Sequence, residues 1–142
     1  MIGSKSGAVI TKANGWSYVA AGVVASVVPD SGQFGTDVVI SGSNICGGGT
    51  QLDSVTLGGV ALELDTAASC TVILGKAGVA GVAVDTTGDI VITSDTGAVV
   101  RGVDRWTYLV QSSIASVVPS AGVSGTRVTL SGTNMLGYMM SM

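Results

Sequence analysis

The chain has 142 residues, enough for one domain with a real core but short for two. Hydrophobic residues make up 46%, charged residues 11% and aromatic residues 4%; so apolar and weakly charged a chain is not a disordered one. The net charge is −3, and Lys5, Lys12, Lys76, Arg101, Arg105 and Arg127 are scattered, so no basic face is present to hold nucleic acid.

Glycine is frequent, at 22, and proline scarce, at 2. With Val, Thr and Ser dominating, that profile predicts an all-β fold of short strands and tight turns. The longest nearly apolar stretch, Tyr18 to Val28, is closed by Pro29. It is too short for the ~20 residues of a spanning helix, so no membrane insertion is expected. The N-terminus lacks the basic region and apolar core of an export signal, which is therefore expected upstream in a longer precursor.

In chain order, residues 1–21 read as the closing strand of a preceding unit. "VVASVVP" opens a complete unit, and Pro29 ends its first strand. "PDSGQFGT" is a turn in which Gly32 and Gly35 can take positive φ. "TDVVISGSN" is a strand with Val38 and Ile40 on one face, followed by a "GGGTQ" loop. "LDSVTLGGVALEL" reads as a hairpin turning at Gly58-Gly59. "SCTVILG" is another strand, and "KAGVAGVAVDTTG" a looser connection with a short strand expected around Val82 to Val84. "DIVITSDTG" and "AVVRGVDRWTYLV" form a last hairpin.

Residues 4–47 laid over 94–137 without a gap give identical residues at 19 of 44 positions. Trp16, Tyr18, Pro29, Gly32 and Gly35 meet Trp106, Tyr108, Pro119, Gly122 and Gly125. The chain thus reads as a window on a tandem array with a 90-residue period, too long for a solenoid unit and suited to an immunoglobulin-like β-sandwich. The expected division is 1–21 for the tail of one unit, 22–111 for a complete sandwich and 112–142 for the opening strands of a third. After Gly137 the third copy departs from the pattern and reads "YMMSM".

The run "SVVP-SG--GT-VVISGSN", then "VTLGGV", "GDIVITSDTGA" and "WTY", resembles the IPT/TIG domain, the immunoglobulin-like fold of plexins and some transcription factors. The resemblance covers essentially the whole chain. It implies a β-sandwich, ordinarily without catalytic residues, used as a spacer or adhesive module. It implies no cofactor and no particular ligand. The transcription-factor members hold DNA through basic loops, which this sequence lacks.

Candidate chemistry is sparse. There is no histidine, which removes the commonest general base, metal ligand and nucleophile-activating group. No "GxSxG" elbow occurs, and the Gly-rich "SGSNICGGG" lacks the Lys-Ser/Thr of a phosphate loop. No enzyme activity is expected. Cys46 and Cys70 are the only cysteines and read either as a disulfide of an exported protein or as buried thiols. Two thiols without histidine do not make a zinc site.

Asp53, Asp65, Asp85, Asp89, Asp95 and Asp104 read as turn aspartates rather than calcium ligands, with Asp85 and Asp89 close enough in sequence to meet in a turn. Trp16 with Tyr18, and Trp106 with Tyr108, are spaced to share one strand face. Their recurrence points to core or inter-unit packing, with sugar stacking as the alternative. Phe34 is the expected exposed contact, and Asn44, shared with Asn134, a turn residue.

Three readings of function follow. The leading one is a non-catalytic structural or adhesive repeat of a secreted or cell-surface protein, whose partners are neighbouring repeats of the same or another chain. The second is a self-assembling homo-oligomer or filament, its partial units completed by strands of other chains. The third is a carbohydrate-binding accessory module.

Overall fold

The computed structural model describes residues 1–135, and all its regular elements are strands. Leu136, Gly137 and the "YMMSM" tail lie outside the described residues. In chain order the strands are β1 (Ile2–Gly3), β2 (Val9–Ile10), β3 (Val23–Val28), β4 (Ser31–Gly32), β5 (Asp37–Ser43), β6 (Leu52–Leu57) and β7 (Val60–Ala61). They continue with β8 (Glu63–Leu64), β9 (Val72–Lys76), β10 (Thr86–Ser94), β11 (Val99–Tyr108), β12 (Ser113–Val118) and β13 (Thr129–Thr133).

The central unit is an immunoglobulin-like sandwich. One sheet has the order β3-β5-β9-β8 and the other β4-β11-β10-β6-β7. Alternation drives the layering: Val38 and Ile40 of β5 face inward, as do Val55 and Leu57 of β6 and Ile90 and Ile92 of β10. With Val24, Ile73, Val100, Trp106 and Tyr108 they form one buried cluster between the sheets. Pro29 separates β3 from β4, which crosses to the opposite sheet and pairs in parallel with β11. The Gly58-Gly59 turn joins β6 to β7 as the sequence predicts, both glycines at positive φ. The chain then crosses sheets again, and β8 pairs with β9.

β1–β2 and β12–β13 form two separate two-stranded sheets. Each reproduces its counterpart in the complete unit at an offset of 90. Ile2 opposes Ile10 as Ile92 opposes Val100. Ser113 opposes Thr133 as Val23 opposes Ser43, and the bulge between Ile114 and Ser116 matches that between Val24 and Ser26.

The opening-turn motif has a physical basis in both copies. Gly35 and Gly125 have φ of 84° and 87°. The Thr36 hydroxyl accepts the Gln33 N–H at 3.1 Å, and Thr126 accepts that of Val123 at 2.9 Å. A Cβ on Gly32 or Gly122 would lie 2.5 or 2.6 Å from the side chain of that threonine, so the turn closes only with glycine there.

Two sequence expectations change. No strand forms at Val82 to Val84; Val82 packs on the core as loop while Val84 is exposed. Asp85 and Asp89 do not meet in a turn, because β10 starts at Thr86 and holds "TTG" extended. The inward set Ile90, Ile92 and Ser94 fixes that strand, and Thr86 and Thr87 continue it as partners of Tyr108 and Thr107.

Candidate functional site

The site with most structure around it is the passage from the complete unit into the third. Its backbone is hydrogen-bonded almost residue by residue. The Thr107 N–H donates to Asp30 O at 2.9 Å and the Leu109 N–H to Gly32 O at 2.7 Å. The Val110 N–H donates to the Asp85 carboxylate at 3.0 Å. The Ser112 N–H donates to Gln33 Oε1 at 2.9 Å, and Gln33 Nε2 donates back to Ser112 Oγ at 3.2 Å. Ser112 Oγ lies 2.5 Å from Asn134 O, which ties the passage to the loop after β13.

Gln33 reaches Ser112 because it sits on the turn fixed by Gly32, Gly35 and Thr36. The exposed Phe34 is at the tip of the same turn. A cleft of about 750 Å³ opens here between Pro29, Thr36, Asp85, Leu109 and Met135. Its lining includes two carboxylates, Asp37 and Asp85, and no histidine or cysteine.

Cys46 and Cys70 are joined by a disulfide, with Cα atoms 5.1 Å apart. It links the loop after β5 to the lead-in of β9, neighbours in one sheet, beside a hydrogen bond from Ile45 N–H to Cys70 O. Closing a loop of this length contributes about 3.5 kcal/mol in the chain-entropy account.

The aspartates are used singly. Asp95 accepts from the Thr50 N–H and hydroxyl, at 3.1 and 2.9 Å, and the Thr50 hydroxyl bond chiefly holds its carboxyl below the usual range. Asp89 accepts the Asp104 N–H at 2.9 Å and lies 3.3 Å from Arg101. That bond satisfies a residue in the left-handed region, since Asp104 has φ of 49° at a bulge in β11. Asp65 accepts the Ala67 N–H in its own turn, while Asp53 is exposed on β6. Among the described residues no three His, Cys, Asp or Glu side chains gather as a metal site.

The two aromatic pairs part company. Trp106 and Tyr108 are buried in the core, 5.5 Å apart edge to face. Burial pushes the Tyr108 phenol up, and neither its hydroxyl nor the Trp106 indole N–H finds a hydrogen-bond partner of good geometry. Trp16 and Tyr18 keep the same mutual arrangement at 6.0 Å but are 77% and 93% exposed. The strands that cover the second pair have no counterpart within residues 1–21. Among the signature residues, Pro29 and Pro119 follow cis bonds. Asn44 and Asn134 occupy positive φ as turn residues.

Sequence reasoning missed the Gln33–Ser112 pairing. Both positions break the repeat, aligning with Val123 and Gly22. The break itself was the available signal, since polar residues where the other copy has none mark a contact that is not periodic.

No family model matches the chain, and no curated relative matches it. Among solved structures it is similar to the full extracellular region of plexin A4, at 21% identity and a TM-score of 0.51 over 69% of this chain. Two further similarities are an auxiliary nutrient binding protein from Bacteroides ovatus, 20% identical over 72% of this chain with a TM-score of 0.48, and a putative phosphatase from Bacteroides thetaiotaomicron, 16% identical over 75% with a TM-score of 0.47. The chain spans 8%, 24% and 21% of these three proteins. The plexin likeness speaks to the immunoglobulin-like fold and to nothing further.

Proposed function

We propose that this chain is a non-catalytic structural module of the IPT/TIG type from a secreted or cell-surface protein, acting as a spacer that holds neighbouring units in fixed relation. The observation that carries the reading is the passage between units. A flexible tether leaves its amides to solvent, whereas here Leu109, Val110 and Ser112, past the end of β11, all donate to the complete unit. The Cys46–Cys70 disulfide supports an oxidising compartment. The lack of histidine and of any gathered acidic cluster among the described residues fits a module without catalytic work. Burial of Trp106 takes that ring away from sugar stacking.

Amide ¹⁵N relaxation on the full chain tests the spacer. The amides of 109–113 are expected to relax as rigidly as those of β10 and β11. Order parameters below about 0.6 there would refute a spacer that fixes the angle between units.

A further inference from the structure

We propose that the complete unit is a load-bearing module, in which the parallel pairing of β4 with β11 is a shear clamp against tension along the chain. The proposal rests on the spacer reading, since only a unit held between neighbours is pulled from both sides. It adds a direction of force and a resisting element.

Load enters and leaves at opposite ends of the sandwich. Gly22 sits against Asn44 and Val100, at the end where β5 finishes and β11 begins. Ser112 is held by Gln33 at the other end, where β5 begins and β9 finishes. The seven residues of β5 alone put about 23 Å between those ends. Val23 opposes Ser43 and Val28 opposes Val39, so β3 runs from the entry end to the exit end. β11 runs the same way, from Val100 beside Gly22 to Thr107 beside Ser31. Tension therefore draws β3 and β4 back toward the entry and β11 forward toward the exit.

Two strands that run the same way and are pulled in opposite directions slide past each other. Their evenly spaced cross-links are then strained together, whereas a hairpin opened from its free end loses its bonds one at a time. The Thr107 N–H donates to Asp30 O at 2.9 Å and the Leu109 N–H to Gly32 O at 2.7 Å. The Gln33–Ser112 pair continues the row beyond β11, at 2.9 and 3.2 Å. Both sides of the clamp are anchored. Trp106 and Tyr108, on either side of Thr107, are buried and fix β11 in the core. On the β4 side, the Gly35 N–H donates to Ala77 O and the Ala77 N–H to Thr36 O, both at 2.9 Å, which binds the turn to the end of β9. The clamp thus joins one sheet to the other on the line of the load.

The Cys46–Cys70 bond lies at the entry end, away from the clamp, and has a sequence separation of 24. When the clamp yields, the residues behind that bond stay closed, which shortens the released length by about 80 Å.

Single-molecule unfolding of the full chain at constant force tests the clamp. The molecule is held first by its two ends, then by its N-terminus and a handle at Thr96. Thr96 lies in the β10–β11 turn at the entry end, so the second geometry parts the sheets from that end and leaves β4–β11 unsheared. A step that lengthens by about 80 Å on reduction is the complete unit. At equal force the parent is expected to unfold at least about tenfold more slowly end to end than through Thr96. Leu109→Pro, which deletes one clamp donor, is expected to raise the end-to-end rate about fivefold and to leave the other rate unmoved. Gln33→Ala, a milder change in a partly exposed side chain, is expected to raise the end-to-end rate alone, by a smaller factor. Equal rates in the two geometries overturn the clamp and leave the spacer standing, because the rigidity of 109–113 is read separately by relaxation. Variants that raise both rates alike, or that raise neither, overturn it too.

Discussion

Trp16–Tyr18 and Trp106–Tyr108 have nearly the same sequence context and the same edge-to-face arrangement, with interplanar angles of 79° and 80°. One pair is in solvent and the other is in the centre of the core. The turns behave alike: Ser4 N–H donates to Ala8 O at 2.9 Å and Ser94 N–H to Ala98 O at 3.0 Å. Asn14 and Asp104 both adopt φ near 50°. Local sequence therefore sets backbone form and side-chain pairing in either setting. Burial comes from strands far away in the chain, and among the described residues only the central unit has them. The comparison predicts that equal substitutions in the two copies have unequal costs.

The largest difference is expected at the tryptophans. Trp106→Ala removes the largest fully buried side chain and is expected to cost about 3–5 kcal/mol in urea unfolding of the complete unit. Trp16→Ala is expected to stay within about 0.5 kcal/mol, as exposed substitutions do. Equal losses at the two positions would mean that residues 1–21 belong to the cooperative core.

Next comes the disulfide. Reduction, or Cys46→Ala with Cys70→Ala, is expected to lower stability by about 3.5 kcal/mol without loss of the fold. Intact mass after alkylation of the unfolded protein checks the bond first: neither thiol should react until a reductant is added. Ready alkylation of both would remove the bond and with it the support for an oxidising compartment.

Smaller, and a sharper form of the comparison, is the glycine pair. Gly35→Ala places a side chain at φ 84° and is expected to cost about 1–2 kcal/mol. Gly125→Ala meets the same strain at φ 87°, yet unfolding of the complete unit should not register it. A matching loss at Gly125 would show that β12–β13 unfolds together with the sandwich.

Much of this was legible in the sequence, and the repeat is the reason. Two copies of "SVVP" and "SGT/SN" segments locate the same strands twice, and alternation in "TDVVISGSN" puts Val38 and Ile40 inside, where they are. The Val82–Val84 segment was misread because its apolar residues lie among glycines and alanines, and alternation alone does not distinguish a strand from a packed loop. The fate of Trp16 was hidden for another reason: burial depends on long-range partners, and the same three-residue motif is compatible with either outcome. The Gln33–Ser112 contact joins residues 79 apart, at positions where the repeat lapses, so no local pattern points to it.

The smallest expected effect is an acid-sensitive one confined to the complete unit. Asp95 binds Thr50 through an N–H and a hydroxyl, connecting the loop after Cys46 to the turn between β10 and β11. These donors favour the charged carboxylate and hold it below its ordinary value of 3.8. A carboxyl depressed on folding stabilises the fold above its unfolded pKa, and that contribution is lost as pH falls through the folded value. Asp95→Asn is thus expected to be less stable than the parent at pH 7, with the gap closing as pH falls below the ordinary range. Urea unfolding of both proteins at neutral and acid pH measures it. The counterpart of Asp95 in the β1–β2 turn is Lys5, whose cationic side chain accepts no such bonds, so Lys5→Asn should leave the same pH profile unmoved. If the Asp95→Asn gap persists undiminished in acid, the tie depends on shape and neutral hydrogen bonds, and charge has no part in the difference between the two turns.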